Sequence, residues 1–335
     1  MNASNCFSSN EYLFLPTKKD PKVALVIDNA ALSNNSFKLY NPFSKKARLL
    51  KKMTKKAFTD YNMLSKKLFS TETKKKFNFI KFMEERLGEQ LVVSVYFATA
   101  RDKLVLQLQT PDAKIIGYIK FPLSETGLKR LNNEKKALDI LSSKRIVEKY
   151  LLWEKYENIP FLLLSETNGN IGHPNSKAID DLLLRFRRKE SYSLANHPRI
   201  QYMIDKAKQL NVSKLEKTIE KIRRESATKY FLVYEHGDFA PWNIINTSKG
   251  TVPFDFEYFV EDGLEYFDLI KYHYQIGKLL KGMRPDTLAN YVIEKILVDE
   301  ANILLKLFLA KEILVKMEEC EDYGFEQKML DFLEK

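Results

Sequence analysis

The pattern of apolar and polar residues changes character along the chain. Near the start, short apolar runs at residues 12–16 and 23–27 are separated by lysines and aspartates, which predicts two strands of a small additional sheet. From residue 47 the apolar residues recur at spacings of three and four, which predicts a helix with one apolar face. We expect this face to pack against the rest of the protein. It consists of Leu50, Met53, Ala57, Tyr61, Leu64 and Leu68.

The middle of the chain has the pattern of a small sheet. After a helix predicted at about residues 79–87, three runs are rich in Val, Ile, Leu and Tyr and are joined by short polar turns. These runs span residues 91–99, 103–109 and 113–121. They predict an antiparallel meander. A helix at about residues 125–142 and an apolar strand at 159–166 follow, and the strand ends in polar residues.

The periodicity of apolar residues predicts that the remainder of the chain is mostly helical. One strand-rich stretch, residues 230–254, interrupts it. The predicted helices span residues 180–189, 198–210, 272–281, 286–297 and 299–318, and a further one begins at the capping box of Ser213 and Glu216. A small antiparallel sheet followed by helices predicts the α+β fold class.

Composition narrows the class of protein. With 335 residues, of which 44% are hydrophobic, the chain is long enough for two or three compact units with substantial cores. No apolar run reaches the length of about 18 residues that spans a bilayer. The N-terminus has no basic region followed by an apolar core, so we expect no signal peptide and a cytoplasmic protein. Cys6 and Cys320 lack a second cysteine or a histidine nearby, which argues against a zinc site or a redox dithiol.

The positive charge of the chain is concentrated in one segment. The net charge is +11, and residues 45–76 contain twelve lysines and arginines but only Asp60 and Glu72 as acids. A solvated helix face is the commoner origin of such a cluster. The alternative is contact with an anionic membrane surface, at the inner face of the membrane, or with a phosphorylated glycan. We do not expect nucleic-acid binding, because the cluster lacks interleaved aromatic residues suited to base stacking.

The candidate chemistry lies within residues 230–268. An apolar run at residues 230–234 predicts a buried strand that leads to His236, Asp238 and Asn243. A polar turn at residues 247–250 and a second strand then end at Asp255. A hairpin of this kind brings Asp255 back beside Asp238 and Asn243. The alternative is a polar turn that carries surface acids.

Phosphoryl transfer from a nucleotide uses this set of groups, since a carboxylate orients the attacking hydroxyl while an amide and a second carboxylate hold Mg²⁺. The stretch resembles the aminoglycoside phosphotransferase and choline kinase branch of the protein-kinase-like fold. That branch carries H-G-D-x-x-P-x-N and then D-x-E, and this chain has His236-Gly237-Asp238-Phe239-Ala240-Pro241-Trp242-Asn243 and Asp255-Phe256-Glu257.

The resemblance covers residues 88–280 approximately and implies a bilobal architecture. It implies a nucleotide-binding lobe with its hinge at residues 85–165 and a helical lobe with the catalytic loop at 166–335. Residues 1–84 lie outside it and are interpreted as an N-terminal extension with short strands and a basic helix.

The resemblance also implies roles for single residues in the catalytic stretch. Asp238 would be the catalytic base, and Asn243 and Asp255 the ligands of Mg²⁺. His236 would brace the catalytic loop by hydrogen bonds. Asp268 would buttress the same loop, although an acid at the start of a helix has an equally simple explanation as a favourable N-terminal charge.

Residues of the implied nucleotide-binding lobe follow from the same resemblance. Lys120 at the end of a predicted strand would contact the phosphates of ATP or GTP, and Glu134 on the next helix would hold it. Ordinary surface residues are the alternative for this pair. The backbone at Leu164 and Glu166 would bind the base. The expected phosphate-covering turn has no glycine, so Ala98 and Thr99 would supply its close backbone approach.

The predicted function is therefore a kinase that transfers the γ-phosphoryl group of ATP or GTP to a hydroxyl of a small molecule or sugar. The absence of a Walker A motif excludes a P-loop enzyme. The positive net charge favours a neutral or anionic acceptor, such as a sugar of a cell-surface polysaccharide or a lipid-linked glycan. Choline, ethanolamine and aminoglycosides are alternative acceptors. A catalytically inactive pseudokinase that serves as a scaffold is the alternative from another class.

Overall fold

The computed structural model describes residues 6–40, 45–69, 71–97 and 102–335. For residues 45, 67 and 68 it describes the backbone alone. The chain forms two compact units. The first unit comprises residues 1–139 and 148–167, and the second comprises residues 140–147 and 168–335. Among the described residues, no helix combines the length and the apolar character that crossing a membrane requires.

The first unit is built on one sheet. Its strands in the described part of the chain are β1 (Glu11–Pro16), β2 (Pro21–Val26), β3 (Thr71–Thr73), β4 (Val92–Phe97), β5 (Lys103–Gln109), β6 (Ile115–Pro122), β7 (Leu152–Tyr156) and β8 (Ile159–Ser165). They are antiparallel and lie in the order β3-β1-β2-β4-β5-β6-β8-β7. The predicted meander is confirmed as β4, β5 and β6.

The two N-terminal strands do not form the separate small sheet that the sequence predicted. Strand β2 pairs with β4, with Val23 opposite Tyr96 and Ala24 opposite Val95. Farther along the same edge, the Tyr12 hydroxyl donates a hydrogen bond to the Val93 carbonyl at 2.8 Å. An unpaired edge at β4 would leave its backbone groups unsatisfied, and β2 covers them.

Helices flank this sheet in the first unit. They are α1 (Ala30–Ser36), α2 (Lys45–Asp60), α3 (Asn62–Leu68), α4 (Asn78–Leu87) and α5 (Glu125–Ser143), whose last turn belongs to the second unit. Asn29 caps α1 by accepting a hydrogen bond from the Leu32 amide at 2.9 Å. On α4, Phe79 packs against Phe121 and Phe161, with ring centroids 5.5 Å away in both cases, and so joins the helix to the sheet.

The prediction of which face of α2 and α3 packs against the protein is wrong. Phe58 is fully buried, in a cluster with Leu13, Val23, Leu25, Ile27 and Phe37. Because an amphipathic helix buries only one stripe of side chains, burial of Phe58 directs the opposite side of α2 toward solvent. Of the side chains expected inside, four are between 59% and 64% exposed, and they are Leu50, Met53, Tyr61 and Leu64. Ala57 is half-buried, and the Leu68 side chain lies outside the described part of the structure.

The second unit is mostly helical and contains two small sheets. Its described helices are α6 (Ser176–Phe186), α7 (Pro198–Gln209), α8 (Ser213–Glu225), α9 (Phe267–Gln275), α10 (Pro285–Lys295), α11 (Ala301–Glu318) and α12 (Gly324–Leu333). Its described strands are β9 (Asn170–Ile171), β10 (Arg187–Ser193), β11 (Lys229–Glu235), β12 (Ile244–Thr247), β13 (Gly250–Pro253) and β14 (Val260–Leu264). The sheets have the orders β10-β11-β14 and β13-β12-β9.

Helix α11 lies at the centre of the second unit. Leu304, Leu307 and Phe308 on it are fully buried, among side chains from the surrounding helices. A helix that is apolar on all sides is one that is surrounded by protein. Two charged residues in the same helix, Lys311 and Glu312, are nevertheless buried. Their partners belong to the candidate active site described next.

Candidate active site

The predicted catalytic loop follows β11 directly. Strand β11 ends at Glu235, residues 236–240 form the loop, and a 3₁₀ turn at Pro241–Asn243 leads into β12. Gly237 has a φ of +81°, and a Cβ atom there would lie 2.2 Å from the Tyr258 carbonyl oxygen. Only glycine satisfies both conditions, so the loop conformation depends on this residue.

His236 fastens the loop to the following hairpin. Its ring is buried, and Nε2 donates a hydrogen bond to the Phe254 carbonyl at 2.9 Å. Nδ1 accepts the Asp238 backbone N–H at 3.3 Å. The ring also packs on Phe256, with centroids 4.6 Å apart. Both ring nitrogens hold the loop together, which matches the bracing role that the resemblance implies.

Asp268 holds the other side of the loop. Its Oδ2 accepts the backbone N–H of His236 at 2.7 Å, and its Oδ1 accepts that of Gly237 at 3.0 Å. Burial and then the neighbouring Glu235 carboxylate raise the pKa of Asp268 to about 7, while the two N–H groups oppose this shift. Asp268 also lies in the first turn of α9. Its contacts tie the loop to the start of that helix.

Asp238, the predicted base, is held by three side chains. Its Oδ2 accepts the Asn243 Nδ2 at 3.0 Å, and the same nitrogen donates to the Asp238 carbonyl at 2.9 Å. Its Oδ1 accepts the Gln275 Nε2 at 3.2 Å and lies 3.8 Å from the Lys271 Nζ. Sequence reasoning found Asn243 but missed Lys271 and Gln275. Their only signal was a spacing of four positions, and Lys271 lies just before the helix predicted at residues 272–281.

The predicted hairpin brings Asp255 back to the loop. Strands β12 and β13 pair from Ile244 opposite Pro253, and the Phe254 amide then donates to the Asn243 carbonyl at 3.0 Å. Asp255 follows with a φ of +69°, in the left-handed region that aspartate tolerates better than most residues. The carboxylate oxygens of Asp255 and Glu257 lie within 4.8 Å of each other. Glu257 is part of the D-x-E motif, but sequence reasoning gave it no role.

The donors of this hairpin fit a hard divalent cation. Because both hydrogen bonds from the Asn243 side chain use its nitrogen, its amide oxygen faces away from Asp238. The carboxylates of Asp255 and Glu257 form a pair, and Asn243 is predicted to add its amide oxygen to them. Mg²⁺ prefers oxygen ligands of this kind, commonly one or two carboxylates together with phosphate oxygens and water.

A chain of buried charges connects the predicted base with α11. Lys271 Nζ lies 2.7 Å from Glu312 Oε2, and Lys311 Nζ lies 3.1 Å from Glu312 Oε1. Lys311 also contacts Glu235 Oε1 at 2.9 Å. Burial favours a neutral Glu312, but the Lys271 and Lys311 ammonium groups outweigh it and lower the pKa of Glu312 to about 2. The network keeps Glu312 ionised inside the core.

The predicted phosphate-binding pair is assembled in the first unit. Lys120 on β6 contacts both carboxylate oxygens of Glu134 on α5 at 2.7 Å. Both side chains are buried, so the surface interpretation of this pair is wrong. The contact pairs the lysine with Glu134, the acid that the resemblance implies. A buried bidentate pair of this kind fixes the lysine ammonium group in one place.

The predicted base-binding segment ends strand β8. Leu164 pairs with Tyr118 in β6, and the Glu166 carboxylate accepts the Lys38 Nζ at 3.0 Å. Lys38 lies in the Phe37–Leu39 turn that follows α1, so the N-terminal segment contacts this part of the first unit. Ala98 and Thr99, predicted to cover the phosphates, lie outside the described residues.

Comparisons with known proteins bear on the fold. No protein-family model matches the sequence, and no curated protein matches it. The macrolide 2'-phosphotransferase MphH of Brachybacterium faecium is similar in structure, with 12% identity, a TM-score of 0.50 and coverage of 76% of this chain and 97% of that chain. The choline kinase LicA of Streptococcus pneumoniae has 16% identity, a TM-score of 0.49 and coverage of 76% and 99%. At such identities the likeness concerns the fold alone, and the chain shares the α+β fold of the first of these structures.

Proposed function

We propose that the protein is a kinase that transfers the γ-phosphoryl group of ATP or GTP to a hydroxyl group of a small molecule or sugar. The observation that carries this proposal is the arrangement around Asp238. The loop is fastened by His236 and Asp268, and the hairpin returns Asp255 to Asn243. In this role the Asp238 carboxylate accepts the hydrogen bond of the acceptor hydroxyl and takes its proton as the bond to phosphorus forms.

The remaining residues of the proposed site bind the nucleotide and its cation. Asn243 and Asp255 hold Mg²⁺, with Glu257 as a third oxygen donor. A cation bound there would supply positive charge to balance the phosphate oxygens. Lys120, held by Glu134, contacts the phosphates. The backbone at Leu164 and Glu166 binds the base, and Ala98 and Thr99 approach the phosphates. The contacts within each unit support the assignments of Lys120, Asn243 and Asp255, whereas those of Ala98 and Thr99 rest on the resemblance alone.

For the acceptor we propose a neutral or anionic hydroxyl compound, such as a sugar of a cell-surface polysaccharide. The buried Lys271 ammonium group, 3.8 Å from Asp238 Oδ1, disfavours a cationic group close to the base. A choline-type acceptor needs exposed aromatic faces. Of the aromatic residues after Asp255, Phe259 is buried and stacks on Tyr234, with centroids 6.2 Å apart, which makes it core.

A thermal-shift titration with ATP and GTP, each with and without Mg²⁺, tests the nucleotide site. Ligand at ~100 times its Kd stabilises a protein by about 2.7 kcal/mol, which raises its melting temperature measurably. We expect a Mg²⁺-dependent shift in the wild type that is lost in Asp255→Ala. Asp262→Ala, which removes an exposed acid from the same segment, serves as the matched control and keeps the shift. No shift with either nucleotide contradicts the kinase proposal.

Release of ADP or GDP in the presence of candidate acceptors then tests the reaction. We expect turnover with a hydroxyl compound from the neutral and anionic sugars, and loss of that turnover in Asp238→Asn. Turnover with choline, ethanolamine or an aminoglycoside alone would contradict the proposed acceptor class while leaving the kinase activity in place. A Mg²⁺-dependent nucleotide shift without turnover on any acceptor would favour the scaffold alternative.

We also propose that the segment of residues 45–76 places the protein on the anionic inner surface of the cytoplasmic membrane. This segment contributes +10 of the net charge of +11, so the rest of the chain is nearly neutral. The structure adds an exposed apolar ridge on α2, consisting of Leu49, Leu50 and Met53. The exposed Lys52 and Lys56 lie one turn apart beside this ridge. Interfacial helices combine these features, with apolar residues entering the membrane and lysines facing acidic headgroups.

Co-sedimentation with phosphatidylcholine vesicles, prepared with and without phosphatidylserine, tests the membrane proposal. We expect binding only to the anionic vesicles, reduced by salt and by Lys52→Glu/Lys56→Glu. Lys217→Glu/Lys221→Glu on α8 changes the charge of another helix by the same amount and leaves binding intact. If both double variants bind as the wild type does, or if no vesicle binds, the cluster is a solvated helix face.

A further inference from the structure

Helix α9 presents two side chains to the predicted base. Lys271 and Gln275 are one helical turn apart and therefore lie on the same face. Both are directed at one oxygen of Asp238, the Oδ1, at 3.8 Å and 3.2 Å respectively. The other oxygen, Oδ2, is held by Asn243. The plane of the carboxylate is therefore set from two sides.

The position of Lys271 is in turn set by the protein core. Its ammonium group is bound by Glu312, whose other oxygen binds Lys311, and Lys311 binds Glu235. Glu235 is the last residue of β11, three positions before Asp238. The contacts thus form a closed path of alternating charges that starts and ends at the catalytic loop. Attraction between such charges is strong in a buried environment, where water does not screen it.

Gln275 lies where the helix changes type. Helix α9 ends at this residue, and the chain continues as a π-helical turn at Ile276–Leu280. Single π-helical turns are uncommon and are found frequently at functional sites. The change of helix type takes place where the side chain contacts Asp238.

We infer that Lys271 and Gln275 are positioning residues for Asp238. They fix the orientation of its carboxylate so that an acceptor hydroxyl is held in line with the phosphorus atom. The inference rests on the proposed kinase function. A carboxylate that turns freely would still bind the hydroxyl but in many orientations, and a misplacement of about 1 Å can lower a rate by a factor of about 10². Loss of either residue therefore lowers kcat and leaves nucleotide binding unchanged.

The test measures ADP release from Mg·ATP with water as the acceptor, in the full-length protein. The variants are Gln275→Leu, which removes one donor, and Lys271→Met combined with Glu312→Gln, which removes the ammonium group without leaving a buried charge unpaired. We expect kcat to fall by about 10-fold to 100-fold in each, with the KM for Mg·ATP changed less than about twofold. Lys271→Arg, which retains a cation beside Asp238, should recover most of the rate.

Two controls separate positioning from stability. Gln327→Leu on α12 removes a helical glutamine that donates to Asp331 at 2.9 Å, and it should leave kcat unchanged. The melting temperature and the Mg·ATP-induced shift of each variant are recorded alongside. An unchanged kcat in folded Gln275→Leu overturns the inference, even if the double variant fails to fold. Absence of a melting-temperature shift in the wild type with both Mg·ATP and Mg·GTP overturns the kinase function itself.

Discussion

The carboxylate of Asp268 accepts the backbone N–H groups of His236 and Gly237, at 2.7 Å and 3.0 Å. One side chain from α9 thereby satisfies two consecutive amides of the predicted catalytic loop. Buried amides that lose their acceptor are costly, and Gly237 lies against the backbone of Tyr258. We therefore regard Asp268 as the link through which α9 determines the shape of the loop.

Replacing Asp268 with Asn should destabilise the protein by about 1–3 kcal/mol, because the amide group of Asn cannot accept both N–H groups. Urea unfolding measures this change. Asp286→Asn provides the matched control, since Asp286 lies in the first turn of α10 and its side chain is 45% exposed. Loss of a first-turn charge alone costs about 0.3–1 kcal/mol. Equal costs for the two variants would mean that Asp268 acts only as a helix N-terminal charge.

Replacing Gly237 with Ala should disrupt the loop. The new Cβ would lie 2.2 Å from the Tyr258 carbonyl oxygen, in a backbone conformation with a φ of +81°. Gly88→Ala has a similar φ of +69° but meets no atom within 4 Å, so its expected cost is only the left-handed strain of about 1–2 kcal/mol. Unfolding experiments should rank Gly237→Ala well above Gly88→Ala. Similar values would show that the loop can move away from Tyr258.

The stability of the protein should fall on acidification because of His197. Its ring caps α7, with Nδ1 accepting the Arg199 amide at 3.2 Å, and burial lowers its pKa from 6.5 to about 4. The folded state thus favours the neutral ring. Its contribution is complete above pH 6.5 and is lost as the pH falls toward 4, by up to about 3 kcal/mol at 1.36 kcal/mol per unit.

Unfolding in urea across this pH range, for the wild type and for His197→Asn, isolates the effect. Asparagine also caps helices but does not titrate. We expect the wild type to lose stability relative to His197→Asn between pH 6.5 and pH 4. Parallel curves for the two proteins would show that His197 is not the group responsible.

The two faces of α2 should respond differently to truncation. Phe58→Ala empties a fully buried site and should cost about 3–5 kcal/mol of unfolding free energy. Met53→Ala removes a side chain that is 62% exposed and should change stability by less than about 0.5 kcal/mol. Chemical unfolding of both variants measures the difference. The original interpretation of the apolar stripe requires the opposite order.

Local sequence patterns were sufficient to predict the hairpin that returns Asp255 to the loop after His236. The strand before His236 and the turn before Asp255 lie within about twenty residues of each other, and short hairpins are determined by their turn residues. The pairing of Lys120 with Glu134 was accessible for the same reason. It joins a strand to the helix directly after it.

Apart from Glu257, which lies beside Asp255 in the motif, the errors and omissions concern contacts between distant parts of the chain. The stripe of α2 offered two faces, and the choice between them depended on where Phe58 finds its cluster. The edge of β4 accepts β2 across more than sixty residues. Lys271 reaches Asp238 only because α11 places Glu312 beside it. Periodicity reports which residues share a face but not which partner that face meets.

The pairing of β2 with β4 has a consequence for experiments that shorten the protein. Residues 1–84 lie outside the region that resembles known kinases, which invites their removal to obtain a minimal enzyme. Such a deletion would strip β1, β2 and β3 from the sheet and uncover the backbone groups of β4 and the carbonyl of Val93 that Tyr12 contacts. Uncovered strand edges recruit other chains. A protein beginning at residue 85 should therefore aggregate, and its inactivity would say nothing about what the N-terminal segment contributes to catalysis.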